Sequence, residues 1–386
     1  QPRSRGLGDV YKRQADGGWV YRDWAPHAES LSLVGDFSGW QELPEFQAQR
    51  GQHGYWELKM PADAIRHGDF YRVRMSWVGG QGFRLPAWGR RMVQDLESNL
   101  FAAQVWVEPE YAWQHASPAV TAAPLIYEAH VGMASEWGRV ATWEEFRRDM
   151  LPRIVGAGYN TVQLMAVQEH PYYGSFGYHV GSFFAPSSRF GTAAELKALI
   201  DEAHGMGLRV IMDLVHSHAV RNAVEGLSCY DGSMYQFFHD GPRGMHEMWD
   251  SRCFDYGKTE VLHFLLSNVR YWLEEFHFDG FRFDGVTSML YYDHGFGAGF
   301  SRYADYFNER ADEDAVLYLS LATQLAHEFR PQCLLIAEDV SGFPGLCAAA
   351  EQQGCGFDYR LAMGVPDMWF KLCLLYTSDA ADEEDS

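Results

Sequence analysis

The sequence predicts two structural units, a β-sandwich followed by an α/β domain of the (β/α)8 barrel type. Residues 15–107 contain short β-type segments separated by Gly, Pro and Asp turns. From residue 125 onward, strand-like and helix-like segments alternate, which is typical of parallel α/β domains. Two of the later strands deliver a carboxylate at their carboxyl ends, where (β/α)8 barrels build their sites.

The composition allows a large core and disfavours anionic partners. The 386 residues are 47% hydrophobic, which suits two or three domains. The net charge of −21 would repel phosphate backbones and anionic lipids, so we expect no nucleic-acid or membrane partner. The 13 Trp, 21 Tyr and 25 Phe would suit the stacking of sugar rings, although aromatic residues more often simply fill cores. A neutral polymer such as a glucan fits this charge.

The six cysteines show no CxxC spacing, and several lie in apolar stretches. This favours reduced thiols in a cytoplasmic protein and argues against a zinc site. No apolar run reaches the ~18 residues that span a bilayer, and the N-terminus has no apolar signal core. We therefore expect a cytoplasmic protein that needs no metal and no cofactor.

The predicted sandwich covers residues 15–107. Its clearest strands are 19–24, 31–37, 54–60 and 70–75. Residues 1–14 are basic and unpatterned, and we expect them to be unstructured and non-native. Residues 108–124 are rich in Ala and Pro and are predicted to be a linker.

The predicted barrel covers residues 125–373. Its strands are predicted at 125–131, 161–167, 209–215, 278–286 and 333–340, with a further unit starting at 357–363, and its helices at 142–155, 192–206, 258–276 and 312–329. An open doubly wound sheet is the alternative, but no GxGxxG follows the first strand, which disfavours a dinucleotide site. The 42 residues from 216 to 257 are too long for a simple loop and are predicted to fold over the site.

The strand at 278–286 carries the strongest chemical signal. Arg282 and Asp284 alternate with two phenylalanines, so both polar side chains share one face of the strand. A guanidinium two residues from a carboxylate would keep it ionised and oriented, as a sugar-attacking nucleophile requires. A structural Arg–Asp pair remains the alternative on this stretch alone. Glu338 ends the next predicted strand, and two acids at the same edge favour a catalytic site.

Other polar and aromatic residues are placed where they would line such a site. Asp213 ends the third predicted strand, and a His-x-His pair at 216 and 218 follows it. The pair could bind a metal, could donate to a sugar hydroxyl, or could be structural, which is the default without context. The Gly-punctuated aromatic loop 172–179 could wall a sugar subsite.

In the sandwich, Trp24 and Trp40 lie in or beside turns, where an exposed indole could stack on glucose. A core position is the alternative for each, and it has more weight for Trp24 than for Trp40.

The chain resembles glycoside hydrolase family 13 and, within it, the glycogen/starch (1,4-α-glucan) branching enzymes of the eukaryotic type, from about residue 17 to residue 372. The stretches that carry the resemblance are YEAHVG at 127–132, SFGY at 175–178, DLVHSH at 213–218, GFRFDGVTSML at 280–290, IAEDVSG at 336–342 and FDYRLAM at 357–363. The sandwich resembles the family 48 carbohydrate-binding module. The resemblance implies an immunoglobulin-like sandwich followed by a (β/α)8 TIM barrel.

The resemblance also implies a role for each site residue. Asp284 would be the nucleophile and Glu338 the general acid/base of a retaining double displacement. Arg282 would hold Asp284, and Asp213 would support the site. His218 would bind the sugar at the cleaved bond, and Tyr178 would stack on it. Trp24, Pro26 and Trp40 would contribute to a glucan surface on the sandwich.

The implied reaction cleaves an α-1,4 bond of glycogen, amylose or starch and transfers the chain to a 6-hydroxyl, which forms an α-1,6 branch. An amylase- or isoamylase-like hydrolase and a non-catalytic glucan-binding protein are the alternatives. We expect a monomer with no partner besides the glucan.

Two departures from the family pattern affect these expectations. His179 stands where the family usually has Gln. The family's third carboxylate has no counterpart before residue 372, and residues 374–386 form an acidic tail that we expect to be non-native. We therefore expect an incomplete barrel and an inactive fragment.

Overall fold

The structure is a computed structural model that describes residues 17–95, 97–107, 109–120, 123–297 and 299–382, with side chains described as far as residue 374. The segment 1–14, which we predicted to be unstructured, lies outside the described residues.

Eight strands form the N-terminal module: β1 (Trp19–Trp24), β2 (Ala28–Gly35), β3 (Gln49–Arg50), β4 (Tyr55–Met60), β5 (Phe70–Trp77), β6 (Gly80–Arg84), β7 (Met92–Gln94) and β8 (Phe101–Gln104). One sheet has the order β1-β4-β3, and the other has the order β2-β5-β8-β7 with β6 paired to β5. Along β5, Tyr71, Val73 and Met75 are buried while the residues between them are half-buried, which is the period of two that a sheet with one core face requires. The predicted sandwich is confirmed.

Eleven strands follow: β9 (Ile126–Ala129), β10 (Thr161–Leu164), β11 (Gln168–Glu169), β12 (Ser182–Pro186), β13 (Arg209–Leu214), β14 (Ala219–Val220), β15 (Met245–His246), β16 (Ser251–Arg252), β17 (Gly280–Phe283), β18 (Leu334–Ala337) and β19 (Tyr359–Arg360). Six of them form one parallel sheet in chain order, β9-β10-β13-β17-β18-β19. Strands that neighbour each other in chain order, with helices between them, form the wall of a barrel rather than a doubly wound sheet, in which the order reverses. The predicted incomplete (β/α)8 barrel is confirmed.

The helices are α1 (Trp143–Glu145), α2 (Leu151–Gly156), α3 (Ala193–Gly205), α4 (Thr259–Glu275), α5 (Val286–Leu290), α6 (Glu313–Phe329) and α7 (Gly364–Asp382). A π-helical turn, Phe146–Met150, joins α1 to α2. Helix α3 begins as predicted at Thr192, whose hydroxyl accepts from the Glu195 amide while the Glu195 carboxylate accepts from the Thr192 amide. None of the described helices is both long and apolar enough to cross a membrane.

The predicted barrel strands were correctly located but drawn too long, whereas the predicted barrel helices agree with the structure to within one or two residues at each end. The segment predicted at 278–286 contains β17, which ends at Phe283, because Gly285 adopts φ 63° and turns the chain into α5. In its described residues, the predicted linker has no regular structure but packs on the barrel. Asp201 of α3 accepts from the amides of Gln114 and His115, and Trp113 stacks on His277 with ring centroids 4.0 Å apart.

The module contacts the barrel through the segment that follows β14. Arg84 of β6 donates to the carbonyls of Cys229 and Tyr230, at 2.9 Å to each. The hydroxyls of Tyr21 and Tyr230 both donate to the buried carboxylate of Asp23 on β1. The module is therefore attached to the segment that folds over the barrel mouth, which contains β14, β15 and β16.

Candidate active site

Four side chains predicted for the site lie together at the carboxyl edge of the parallel sheet. Asp213 on β13 is opposite Arg282 on β17, and Arg282 is opposite Ile336 on β18, two residues before Glu338. Asp284 follows β17 directly. Because neighbouring parallel strands end at the same edge, local sequence order brings these groups together.

Arg282 is the centre of this group. Its Nη1 lies 2.8 Å from Asp213 Oδ2 and 2.9 Å from Asp284 Oδ1, and its Nη2 lies 2.9 Å from Glu338 Oε2. We predicted the contact with Asp284, but the structure shows one guanidinium joining three carboxylates. Burial lowers the pKa of Arg282, but the three carboxylates raise it further, so its pKa lies above the ordinary value and the guanidinium stays charged.

The two proposed catalytic carboxyls are both harder to ionise than in water. Burial raises the pKa of Asp284, and Arg282 opposes this shift without cancelling it. Burial also raises the pKa of Glu338, where Arg282 again opposes the shift and the charge of Asp284 adds to it. We expected Arg282 to keep Asp284 ionised. Arg282 favours the ionised form only in part, because it shares its single positive charge among three carboxylates. The main-chain N–H of Gly285 donates to Glu338 Oε2 at 2.9 Å and orients it.

Asp213 supports the group from below. It is fully buried and accepts from the Tyr178 hydroxyl at 2.6 Å and from Gln163 Nε2 at 2.7 Å. Burial raises the pKa of Asp213 to about 7, although Arg282 and the Tyr178 hydroxyl oppose the shift. The hydrogen bond to Asp213 therefore holds the Tyr178 ring in place as one wall of the site.

The two histidines of the His-x-His pair have different surroundings. The Nε2 of His218 lies 2.8 Å from the Tyr178 carbonyl oxygen, and its Nδ1 lies 2.9 Å from the Ser217 hydroxyl. His216 is buried between the Tyr318 hydroxyl and the Asn268 side chain, so its role is structural. Burial lowers the pKa of both histidines to about 4, so both are neutral at neutral pH. Within the described ranges, no three His, Cys, Asp or Glu side chains are grouped so that they could hold a metal ion.

An open cleft of about 670 Å³ lies over these groups. The predicted wall 172–179 contributes one side of it, including His179, whose ring centroid is 6.2 Å from that of His218. The other residues that line it include Met248, Trp249, Thr287, Ser288, His294, Phe296 and Val340. Carboxylates at the floor of a cleft with aromatic walls suit a carbohydrate chain.

Trp40 lies on a separate groove of about 680 Å³ in the module, which Arg72 and Phe83 also line. It is 42% exposed, and its Nε1 donates to Asp36 at 3.0 Å. The structure therefore gives Trp40 the exposed position that we favoured for it. Trp24 and Pro26 are half-buried and do not line this groove. Trp24 instead faces the barrel, where its ring meets that of Phe237 edge-on with centroids 5.5 Å apart.

The sequence analysis missed three contributors to the site. Gln163 and Gly285 act on the carboxylates by a side-chain amide and a main-chain N–H, and neither carries a sequence signal that separates it from an ordinary strand or turn residue. Trp249 belongs to the 216–257 segment, which we predicted to cover the site, but the only residues that we named in it were the two histidines at its start.

Comparison with known proteins agrees with the fold. Residues 6–89 match the family described as "Carbohydrate-binding module 48 (Isoamylase N-terminal domain)", and residues 149–236 match "Alpha amylase, catalytic domain". Among solved structures, a pullulanase from Paenibacillus barengoltzii in complex with maltohexaose and alpha-cyclodextrin superposes with a TM-score of 0.67 at 19% identity, over 86% of this chain and 53% of that one. This likeness shows the fold.

Curated relatives are much closer in sequence. The 1,4-alpha-glucan-branching enzyme of Aspergillus oryzae is 50% identical over 369 residues, which cover 93% of this chain and 53% of that protein. The 1,4-alpha-glucan-branching enzyme of Equus caballus is 47% identical over 369 residues, which cover 93% of this chain and 52% of that protein. Branching enzyme 2-2 of Arabidopsis thaliana, named as chloroplastic/amyloplastic, is 48% identical over 378 residues, which cover 96% of this chain and 47% of that protein.

Together the fold and the site define a protein of the alpha-amylase type with a carbohydrate-binding module before its catalytic domain. Over more than nine-tenths of its length the chain is similar in sequence to 1,4-alpha-glucan-branching enzymes, and residues 149–236 match the alpha-amylase catalytic domain. It spans about half the length of the curated relatives that it matches.

Proposed function

We propose that this chain provides the module and the catalytic carboxylates of a glucan branching enzyme. Such an enzyme cleaves an α-1,4-glucosidic bond by retaining double displacement and transfers the released chain to a glucan 6-hydroxyl. The observation that carries the proposal is the bridge from Arg282 to Asp284 and Glu338 at the floor of an open cleft. A retaining mechanism needs two carboxyls close together, one charged and one protonated.

In the first step, the Asp284 carboxylate attacks the anomeric carbon while Glu338 gives its proton to the leaving glycosidic oxygen. The anomeric carbon–oxygen bond breaks, and a covalent glycosyl–Asp284 ester forms. In the second step, the Glu338 carboxylate takes the proton of the attacking 6-hydroxyl, and the ester bond breaks as the α-1,6 bond forms. The raised pKa of Glu338 suits a group that must start protonated.

The other site residues bind and orient the sugar. Tyr178 is fixed through its hydroxyl by Asp213, so its ring can pack on the glucose at the cleaved bond. His218 is neutral and lines the cleft, which suits a contact with the sugar at the cleaved bond. Its Nε2 donates to the Tyr178 carbonyl oxygen and its Nδ1 accepts from the Ser217 hydroxyl, so the ring is held in place.

The test is incubation of amylose with this chain completed by the part of a curated relative that it does not cover, with Asp284→Asn as the control. Loss of iodine colour without new reducing ends would show transfer and support the proposal. Loss of colour with new reducing ends would show a hydrolase. Unchanged colour together with retained amylose binding would show a glucan-binding protein and overturn the catalytic proposal.

A second glucan-binding surface is proposed on the module at Trp40. An exposed indole beside Arg72 and Phe83 in an open groove matches the combination of ring face and hydrogen-bond donor that a glucose unit requires. Trp40→Ala should weaken amylose binding without unfolding the module, whereas unfolding would show a core role. For Trp24 and Pro26, a contribution to a glucan surface on the module stays a prediction. We also propose that the protein acts as a monomer in a reducing compartment such as the cytoplasm, where buried thiols such as those of Cys253, Cys333 and Cys355 persist.

A further inference from the structure

Three flat rings form a continuous stack beside the catalytic strand ends. Trp249 and His246 are parallel, with centroids 3.9 Å apart and planes 7° apart, and His246 meets His294 at 4.0 Å and 36°. Trp249 and His246 belong to the segment over the barrel mouth, whereas His294 belongs to the loop after α5. The stack therefore joins two separate loops at the cleft.

The two ends of the stack line the cleft, and its middle ring is hidden. Trp249 and His294 both face the cleft, while His246 is fully buried. Its Nδ1 accepts from the main-chain N–H of Trp249 at 3.3 Å, and its Nε2 has no hydrogen-bond partner among the described residues. A buried imidazole nitrogen without a hydrogen-bond partner lowers the stability of the fold, so we expect His246 to have a function that offsets this cost.

The backbone around Trp249 is adapted to this position. Asp250, the next residue, adopts φ 44° although it is not a glycine, which is a strained conformation. On the opposite side, a Cβ at Gly285 would lie 3.1 Å from Trp249 and 2.9 Å from the Ser217 hydroxyl, so only glycine lets the indole approach this closely to the end of β17. The indole also meets the ring of His218 at 4.9 Å.

We propose that Trp249 is a glucan-binding residue of the cleft, which packs on the glucose unit next to the cleaved bond, and that His246 and His294 are positioning residues that hold its ring. The inference rests on the proposed function, because it assigns a further residue to the same cleft. Met248, 71% exposed, and Phe296, 48% exposed, extend the same apolar wall, and the apolar face of a glucan would cover it. A neutral imidazole beside Trp249 suits this neutral ligand, since burial together with His294 and His218 lowers the pKa of His246 to about 3.

The test is titration of the 386-residue chain with maltohexaose by calorimetry, in a Trp40→Ala background that removes the proposed module site. Trp249→Ala should weaken binding by about tenfold, and Trp249→Phe should weaken it by less than about threefold. Tyr178→Ala is the reference for binding in the cleft. Trp369→Ala, an indole 65% exposed on α7 outside the cleft, is the matched control and should bind normally.

The variants separate this inference from the proposed function. If Tyr178→Ala loses binding and Trp249→Ala does not, the role of Trp249 is overturned and the proposed function stands. If neither loses binding, both are overturned. If Trp249→Ala fails to fold, the maltohexaose binding of Trp249→Phe and of the two His246 variants tests the role of Trp249 instead.

His246 does not contact the ligand, so its variants test only the support of the Trp249 ring. His246→Leu removes the flat ring and should weaken maltohexaose binding by about fivefold, whereas His246→Phe keeps a flat ring and should bind within about twofold of the parent. Equal binding by the two His246 variants would overturn the positioning role.

Discussion

At the scale of single residues, the site depends on one cation that is shared among three acids. Arg282 is 8% exposed and contacts Asp213, Asp284 and Glu338, so the ionisation of each acid depends on the other two. Its guanidinium has two terminal nitrogens with fixed geometry, which lets it hold acids from three strands at once.

Replacement of Arg282 should therefore destabilise the protein strongly and in a pH-dependent way. Arg282→Gln leaves up to three buried carboxylates without their cation, which should cost about 3–5 kcal/mol of unfolding free energy at pH 8. The loss should be smaller at pH 5, because the pKa values of the unpaired acids rise and they can protonate. Urea unfolding at the two pH values measures this.

Arg270→Gln is the matched control, since Arg270 forms an exposed pair with Glu274 on α4 and should change stability by less than about 0.5 kcal/mol. An equal loss at both pH values would contradict the shared-charge description.

The nucleophile can be tested without a change of shape. Asp284→Asn keeps the size of the side chain but removes the charge of the attacking oxygen. In the chain completed by the rest of a curated relative, turnover on amylose should therefore fall by about 10³-fold or more, which corresponds to ~4 kcal/mol of barrier. The iodine and reducing-end assays measure this turnover. Asp63→Asn, at an exposed position on the module, should leave turnover unchanged. Retention of a tenth of the activity in Asp284→Asn would exclude Asp284 as nucleophile.

At the scale of elements, helix α3 shows how local sequence determines where a segment starts. Thr192 and Glu195 satisfy each other's main-chain N–H groups at its N-terminus, at 3.3 Å and 2.6 Å. This cap sets where α3 begins, and α3 is the helix that precedes β13, the strand that carries Asp213.

Removal of this cap should have a modest, measurable cost. Thr192→Ala leaves the Glu195 N–H without its hydroxyl acceptor and should lower the free energy of unfolding by about 1 kcal/mol. Thr192→Ser keeps the oxygen and should stay within about 0.5 kcal/mol of the parent. Thermal unfolding of the three proteins provides the comparison, and equal stability of all three would show that the cap is energetically silent.

At the scale of the whole molecule, the contact between module and barrel contains a buried acid. Asp23 is 3% exposed and accepts from Tyr21 and Tyr230, one from each unit. Burial raises its pKa from 3.8 to about 6, although the two hydroxyls oppose the shift. The folded protein therefore binds a proton at Asp23 in a pH range where the unfolded chain does not.

The sign of the resulting pH dependence follows from that difference. Between about pH 4 and pH 6 the folded state holds one more proton, so stability falls as pH rises, by on the order of 3 kcal/mol in total. Asp23→Asn has no titrating group at this position, so it lacks this fall in stability. The difference in unfolding free energy between the parent and Asp23→Asn should therefore change by that amount between pH 4 and pH 7. Urea unfolding across that range measures it, and a constant difference would show that Asp23 keeps an ordinary pKa in the folded state.

The sequence by itself determined the order of the two units, the strands that carry the acids, and the identity of Arg282, Asp284 and Glu338 as a group. These features are local, because alternation along a strand and polar residues at its end depend on neighbours within a few positions. Parallel strands then bring separate ends together without further information.

Only the tertiary structure decided how the charges are shared and which rings line the cleft. The contact between Arg282 and Asp213, the support from Gln163, and the stack on Trp249 join residues that lie far apart in the chain or have no distinctive local pattern. Burial, which raises the pKa of Asp284 against the effect of its nearest cation, is a property of the packed molecule. This pKa shift cannot be read from a local sequence pattern, because desolvation depends on every segment that packs over the site.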